Sequence, residues 1–277
     1  QDILDLIEEE DIEFIRLQFT DIAGNLKNMA ATIDQIDKIL NGKCKFDCAA
    51  IDGFRGKGYE ELFLIPDLDT FVIFPWRPQH GKVARFICDV VKPDGTPFEG
   101  DSRYILKRAI NQAKEMGFEL DVAIKSEFFL FDLDENGEPT NHTTEKGGYF
   151  DIGPTDGGEN TRRDMVLYLA DMGIEVESSY HSDEAAQHVL DLSHVDALSM
   201  ADDIMTTRLV VRTVARRHGC HGTFMPKPKE NVKGSGAHYT FSVCKDGKNI
   251  FSDSSDELGV SKEGYQFMTG ILRHIAS

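Results

Sequence analysis

Lys125 stands two residues before Glu127 in the run Asp121-Val-Ala-Ile-Lys-Ser-Glu-Phe-Phe-Leu-Phe131. In a β-strand, residues two apart point to the same face, so the two side chains aim at one place. Two acids at this spacing would begin a metal cage; a lysine and an acid suggest an internal ion pair. The alternative is a solvated lysine, and the desolvation cost of buried pairs favours it. Phe128, Phe129 and Leu130 read as core, which fixes the strand. Farther along, Gly234-Ser-Gly236 is either an anion cradle of backbone N–H groups or simply a turn.

The 277 residues suffice for one large domain or two smaller ones. Asp and Glu total 48 against 30 Lys and Arg, a net charge of −18, which repels nucleic acid and acidic membranes. Neither is expected as a partner. The five cysteines have no metal-binding spacing and read as reduced thiols. No apolar run approaches the ~20 residues of a membrane span, and the acidic amphipathic start is unlike a signal peptide. A cytoplasmic setting is expected.

The elements that must position these residues follow from periodicity. A helix is expected over 2–10, strands over 14–19 and 26–32 around the turn Asp21–Asn25, and a helix over 33–41 ending at Asn41-Gly42. Strands follow at 70–74 and 83–91. Lys92-Pro-Asp-Gly-Thr-Pro97 marks a domain boundary, giving domains at 1–97 and 98–277. Beyond it come a helix at 102–116, a strand pair around 119–131 and a hairpin turn at Asp134–Gly137. Next are a helix at 159–172, strands at 174–179 and 187–192, a helix at 195–218, and a strand at 236–243. A last helix runs from 261 to the end. It keeps helical spacing through Phe267, Met268, Ile271, Leu272 and Ile275 without a stop signal. That reads either as a chain cut short or as a frayed terminal helix.

Several runs, in order, resemble bacterial type I glutamine synthetase: Phe46-Asp47, Phe71-Val-Ile-Phe-Pro-Trp76, Gly81-Lys-Val-Ala-Arg-Phe-Ile-Cys-Asp89, Pro93-Asp-Gly-Thr-Pro-Phe-Glu-Gly100, Glu127-Phe-Phe-Leu-Phe131, Gly147-Gly-Tyr-Phe-Asp151, Phe224-Met-Pro-Lys-Pro228 and Gly234-Ser-Gly-Ala-His238. The resemblance implies an α+β chain with an N-terminal β-grasp-like domain. A catalytic α/β domain with a curved antiparallel sheet follows, here without its C-terminal portion. It also implies ATP, Mg²⁺ or Mn²⁺, glutamate and ammonia, and a homo-oligomeric ring. A smaller assembly is possible, because ring contacts lie partly in the C-terminal portion. The family reaction phosphorylates the glutamate γ-carboxylate and lets ammonia displace the phosphate; clustered carboxylates hold the metals that neutralise the phosphoryl charge.

By resemblance, Glu127 and His238 are metal ligands, Asp47 handles ammonium, Glu177 and Ser242 contact nucleotide, and Gly234 lies in the glutamate loop. Three family acids are replaced, by Lys125, Ser182 and Val189. The loop asparagine has become Lys233, which donates but cannot accept. Cys48-Ala49-Ala50 lack the hydroxyls that follow the aspartate in the family. Asp183 or Glu184 would replace a lost acid only by shifting register, which ligand geometry seldom survives. Tyr180 stands at the first of the family's paired histidines and receives no function. Three functions compete: an active ligase or a piece of one, a non-catalytic relative acting by binding or assembly, and a ligase for another amine. The third would still need the lost acids. Impaired or absent catalysis and weak metal binding are the expectation.

Overall fold

The computed structural model describes residues 2–55, 58–76 and 80–276. They form two compact units interleaved along the chain. The first comprises residues up to Arg108 with Arg163–Glu175 and Ile204–Val214; the second comprises Ala109–Arg162, Val176–Asp203 and the residues from Ala215 onward.

The first unit is built on five strands. After helix α1 (Asp2–Glu9) come β1 (Ile12–Thr20) and β2 (Leu26–Thr32), joined by a turn in which Asp21 accepts from the N–H groups of Ala23 and Asn25. A single 3₁₀ turn at Ile33–Gln35 leads into α2 (Ile36–Leu40), so the expected helix over 33–41 is tighter at its start. Strands β3 (Cys44–Asp47), β4 (Glu61–Ile73) and β5 (Lys82–Val91) complete a sheet of order β2-β1-β5-β4-β3. Only β1 and β5 run parallel among these pairs. One face packs Ile15, Leu17, Phe19, Leu62, Leu64 and Phe86 against Ile39 of α2 and Phe54. The sequence reading missed β3 and the first half of β4, where Pro66 and alternating acids mask the strand pattern.

Helix α3 (Ser102–Glu115) starts on Asp101, whose carboxylate accepts the N–H groups of Arg103 and Val90. Arg103 is buried and spans two strands: one guanidinium nitrogen lies 2.6 Å from Asp67 of β4 and the other 2.6 Å from Asp89 of β5.

The second unit holds the other sheet. The expected strand pair near 119–131 is one long strand, β6 (Glu119–Asp132), because its turn at Asp134–Gly137 returns to only an isolated bridge at Pro139. After α4 (Glu159–Asp171) come β7 (Val176–His181) and β8 (Gln187–Asp196), then α5 (Ala197–Arg217), β9 (Cys220–Thr223), β10 (Ala237–Lys245) and β11 (Lys248–Asn249). The order is β11-β10-β6-β8-β7, with β9 on the far end of β6, and every pair is antiparallel. Two register shifts, at Val122/Ile124 on β6 and Val176/Ser178 on β7, curve this sheet. Helix α6 (Lys262–His274) is capped by Ser261, whose hydroxyl accepts from the Gly264 N–H. The expected end of that helix at Ser277 lies outside the described residues. No helix among the described residues is long and apolar enough to cross a membrane.

Arg103→Ala strands two partly buried carboxylates and should lower stability by about 3 kcal/mol, read as a fall in the urea midpoint. Removing the exposed Lys45–Glu61 pair, 2.8 Å apart, should cost under ~1 kcal/mol. Equal losses would refute the ranking.

Candidate functional site

The register of β6 with its neighbours decides which side chains share a face. Lys125 lies opposite Asp191 of β8 and His238 of β10; Glu127 lies opposite Val189, which in turn faces Tyr180 of β7. Directly opposed residues share a face, so the strands present Lys125, Glu127, Val189 and His238 on one side. Ser182 follows β7 in the turn to β8 and is buried. Val189 is 1% exposed and offers no donor.

The Lys125–Glu127 ion pair, the less favoured of the two readings from sequence, does not form. Lys125 Nζ lies 3.6 Å from Asp191 Oδ2 and 6.0 Å from the centre of the Tyr180 ring. A hydrogen bond to the Tyr180 hydroxyl, and next its charge and that of Asp191, raise the lysine's pKa. The cross-strand carboxylate is nearer along the pairing direction than the i+2 neighbour. With 41% of its side chain exposed, Lys125 also keeps part of its hydration. Glu127 turns elsewhere: its Oε2 accepts from the Gly236 N–H at 2.7 Å and the Gln187 amide at 3.2 Å. The same Gln187 amide donates to the Gly234 carbonyl at 3.0 Å. Gly234 must be glycine, since a Cβ there would sit 2.4 Å from the Pro226 carbonyl oxygen.

A cavity of about 450 Å³ opens beside this face, lined by Lys125, Glu177, Asp191, His194, His238 and Thr240 with Ala123. Glu177 reaches it because it is the extra residue of the β7 bulge, and bulges re-aim side chains. Ser242 lies two residues beyond Thr240 on β10, where its hydroxyl accepts from the Asn249 amide at 3.1 Å. Asp183 and Glu184 are engaged by Lys233: its ammonium donates to Asp183 at 2.6 Å and its N–H to Glu184 at 3.0 Å. Asp47 belongs to the first unit. It is exposed and caps a 3₁₀ turn at Cys48–Ala50 by accepting from the Ala49 N–H at 2.8 Å.

Alternation sends other residues of the same strands to the opposite face. Phe128 lies opposite His188, and His188 opposite His181. Glu145, Asp156 and Arg162, from the connection to α4 and its first turn, close over these two rings. Sequence reading missed this group because its members are far apart along the chain and share no motif. Burial alone would lower the pKa of His181, but Glu145 and the Ser182 carbonyl outweigh it and raise it. Burial, then the Arg162 charge, lowers His188 well below the usual range.

The fold thus defines a β-grasp sheet joined to a curved antiparallel sheet of the glutamine-synthetase type. The family model for the glutamine synthetase β-grasp domain matches residues 11–93, and that for the glutamine synthetase catalytic domain matches residues 99–277. The chain is 54% identical over 275 residues to a glutamine synthetase of Clostridium saccharobutylicum, covering 99% of this chain and 62% of the relative. It is 48% identical over 274 residues to one of Staphylococcus aureus, covering 99% and 61%. The structure superposes on Plasmodium falciparum glutamine synthetase with a TM-score of 0.88 at 25% identity, over 99% of this chain and 59% of that one. It superposes on GmaS in complex with ADP with a TM-score of 0.88 at 26% identity, over 98% and 62%. The chain belongs to the glutamine synthetase family, and it spans about three-fifths of the length of these relatives.

Gly234→Ala should lower stability by ~1–3 kcal/mol, because backbone rather than a movable side chain blocks the added methyl. An unchanged urea midpoint would show that the loop relaxes freely.

Proposed function

We propose that this chain descends from an ATP-dependent ligase joining ammonia to glutamate and does not itself perform the ligation. The observation that carries the reading is the face where Glu127, Val189, Lys125 and His238 meet. Hard divalent cations such as Mg²⁺ or Mn²⁺ need several oxygen donors. Among the positions that the resemblance gives to the metals, one carboxylate and one imidazole face an isopropyl group and an ammonium, and the neighbouring Asp191 is paired with that ammonium. Glu127 already gives Oε2 to two N–H donors. Asp183 and Glu184 are engaged by Lys233 and offer no ready substitute. These residues do not fit the family's metals, and a phosphoryl transfer without them lacks its charge compensation.

Within this reading, Glu177 and Ser242 edge a nucleotide pocket; the ADP complex of GmaS supports that class of ligand. Gly234 lies in the former glutamate loop, and Asp47 keeps the position of ammonium handling. The β-grasp domain is taken as residues 1–97 and the catalytic domain as 98–277. The protein is read as cytoplasmic and homo-oligomeric, in an assembly no larger than the family's rings. The alternative is a non-catalytic role in binding or assembly.

The purified chain should release no ADP in response to glutamate and ammonia; dependent release above background would refute the reading. Lys125→Glu, Ser182→Glu and Val189→Glu together should raise Mn²⁺ affinity at least ~10-fold, since each restores an oxygen donor. Isothermal titration measures it, and an unchanged isotherm would remove the argument from lost acids.

A further inference from the structure

The buried face of the curved sheet holds a group apart from the positions to which the proposed function assigns roles. His181 and His188 are both fully buried and meet edge to face, with ring centres 5.0 Å apart. Glu145, Asp156, His181 and His188 each offer a donor atom, and these four atoms lie within 4.8 Å of one another. His181 Nε2 faces Glu145 at ion-pair distance, and His188 Nε2 has no hydrogen-bond partner. Both are aimed at the same oxygen: Glu145 Oε2 lies 3.3 Å from His181 Nε2 and 4.0 Å from His188 Nε2. The His188 nitrogen, buried without a partner beside that carboxylate, is costly unless something bridges the two.

The surroundings hold these donors as outer hydrogen bonds hold metal ligands. His181 Nδ1 contacts the Ser182 carbonyl at 2.7 Å, which places the Nδ1 proton there and leaves Nε2 to face Glu145. Glu145 Oε1 is fixed by the Gly157 N–H at 2.7 Å, leaving Oε2 to face the rings. Asp156 Oδ1 accepts from the Gly158 N–H at 3.0 Å. Gly147 and Gly158 lie against the rings; a Cβ on either would come within 2.6 Å of an Nε2 atom. A cavity of about 470 Å³ reaches the cluster and has Glu145, His188, Gly158, Asp132, Thr143 and Cys220 in its wall.

We infer that Glu145, Asp156, His181 and His188 form a site for one divalent transition cation of the zinc class, on the opposite face of the sheet from the ancestral metal positions. Mixed imidazole and carboxylate donors suit Zn²⁺ and Co²⁺ better than Mg²⁺. Arg162 limits the affinity. Its guanidinium lies 2.7 Å from Asp156 Oδ2 and 2.9 Å from His188 Nδ1. While Arg162 donates to Nδ1, the His188 proton sits on Nε2. His181 and Glu145 are therefore the ready donors; Asp156 and His188 join when Arg162 turns away from Oδ2 and Nδ1, the His188 proton then passing from Nε2 to Nδ1. The ion replaces protons in the cluster, and nothing is oxidised or reduced.

The test uses the 277-residue chain and Co²⁺, then Zn²⁺. Co²⁺ should give visible d–d bands that saturate at one ion per chain and vanish when Zn²⁺ displaces it. In long-range ¹H–¹⁵N spectra of the histidine side chains, Zn²⁺ should shift His181 and His188 and leave His194 and His238 in place. His181→Ala with Glu145→Gln should weaken Zn²⁺ binding more than ~10-fold, as losing a direct ligand costs at least what losing an outer partner does. If that variant fails to fold, the histidine spectra of the unaltered chain decide alone. Shifts confined to His194 or His238, or no histidine shift with Zn²⁺ in excess, would overturn the site.

Discussion

The strict alternation of side chains along β6 is the constraint on which the second unit depends. A strand that pairs on both sides cannot rotate one residue without moving its neighbours' side chains to the wrong face. Phe128 is fully buried and must point into protein, so Glu127 must point the other way. The pairing of β6 with β8 then carries Val189 beside Glu127 and puts His188 behind. Pairing of β8 with β7 extends the same division to Tyr180 and His181. One backbone register therefore builds two chemically different faces.

The two faces differ in chemistry. On the side of Glu127, an ammonium and an apolar side chain stand beside that carboxylate. Lys125 settles beside Asp191 and the Tyr180 hydroxyl, and Glu127 takes N–H donors from the Gly234–Gly236 turn and Gln187. These contacts restore local balance without restoring a cluster of oxygen donors. The buried side keeps two carboxylates, two imidazoles and a guanidinium in close contact. Low dielectric strengthens every interaction there, and it makes an unpartnered nitrogen expensive. The β-bulges matter for the same reason. Without the extra residue on β7, Glu177 would follow simple alternation away from the cavity it now lines.

Most of the elements beyond β5 were legible because their apolar periods are clear. The strands around Glu127 and His238 and the helices after Ser102, Glu159 and Ala197 were anticipated within a few residues. Strand β3 and the start of β4 were not, since Pro66 and scattered charges interrupt the alternation while pairing with β5 supplies the order. Strand β9 is four residues long and becomes a strand only by pairing with the end of β6.

Residue identities alone determined the family and put a lysine, a serine and a valine at positions 125, 182 and 189, because ordered motifs and side-chain types are carried by the chain itself. Tertiary structure decided that Lys125 pairs with Asp191 rather than Glu127, that Lys233 engages Asp183 and Glu184, and that Glu145, Asp156, His181 and His188 share one buried space. Spacing along a strand says which way a side chain points. Only the path of the other strands and connections says what it meets.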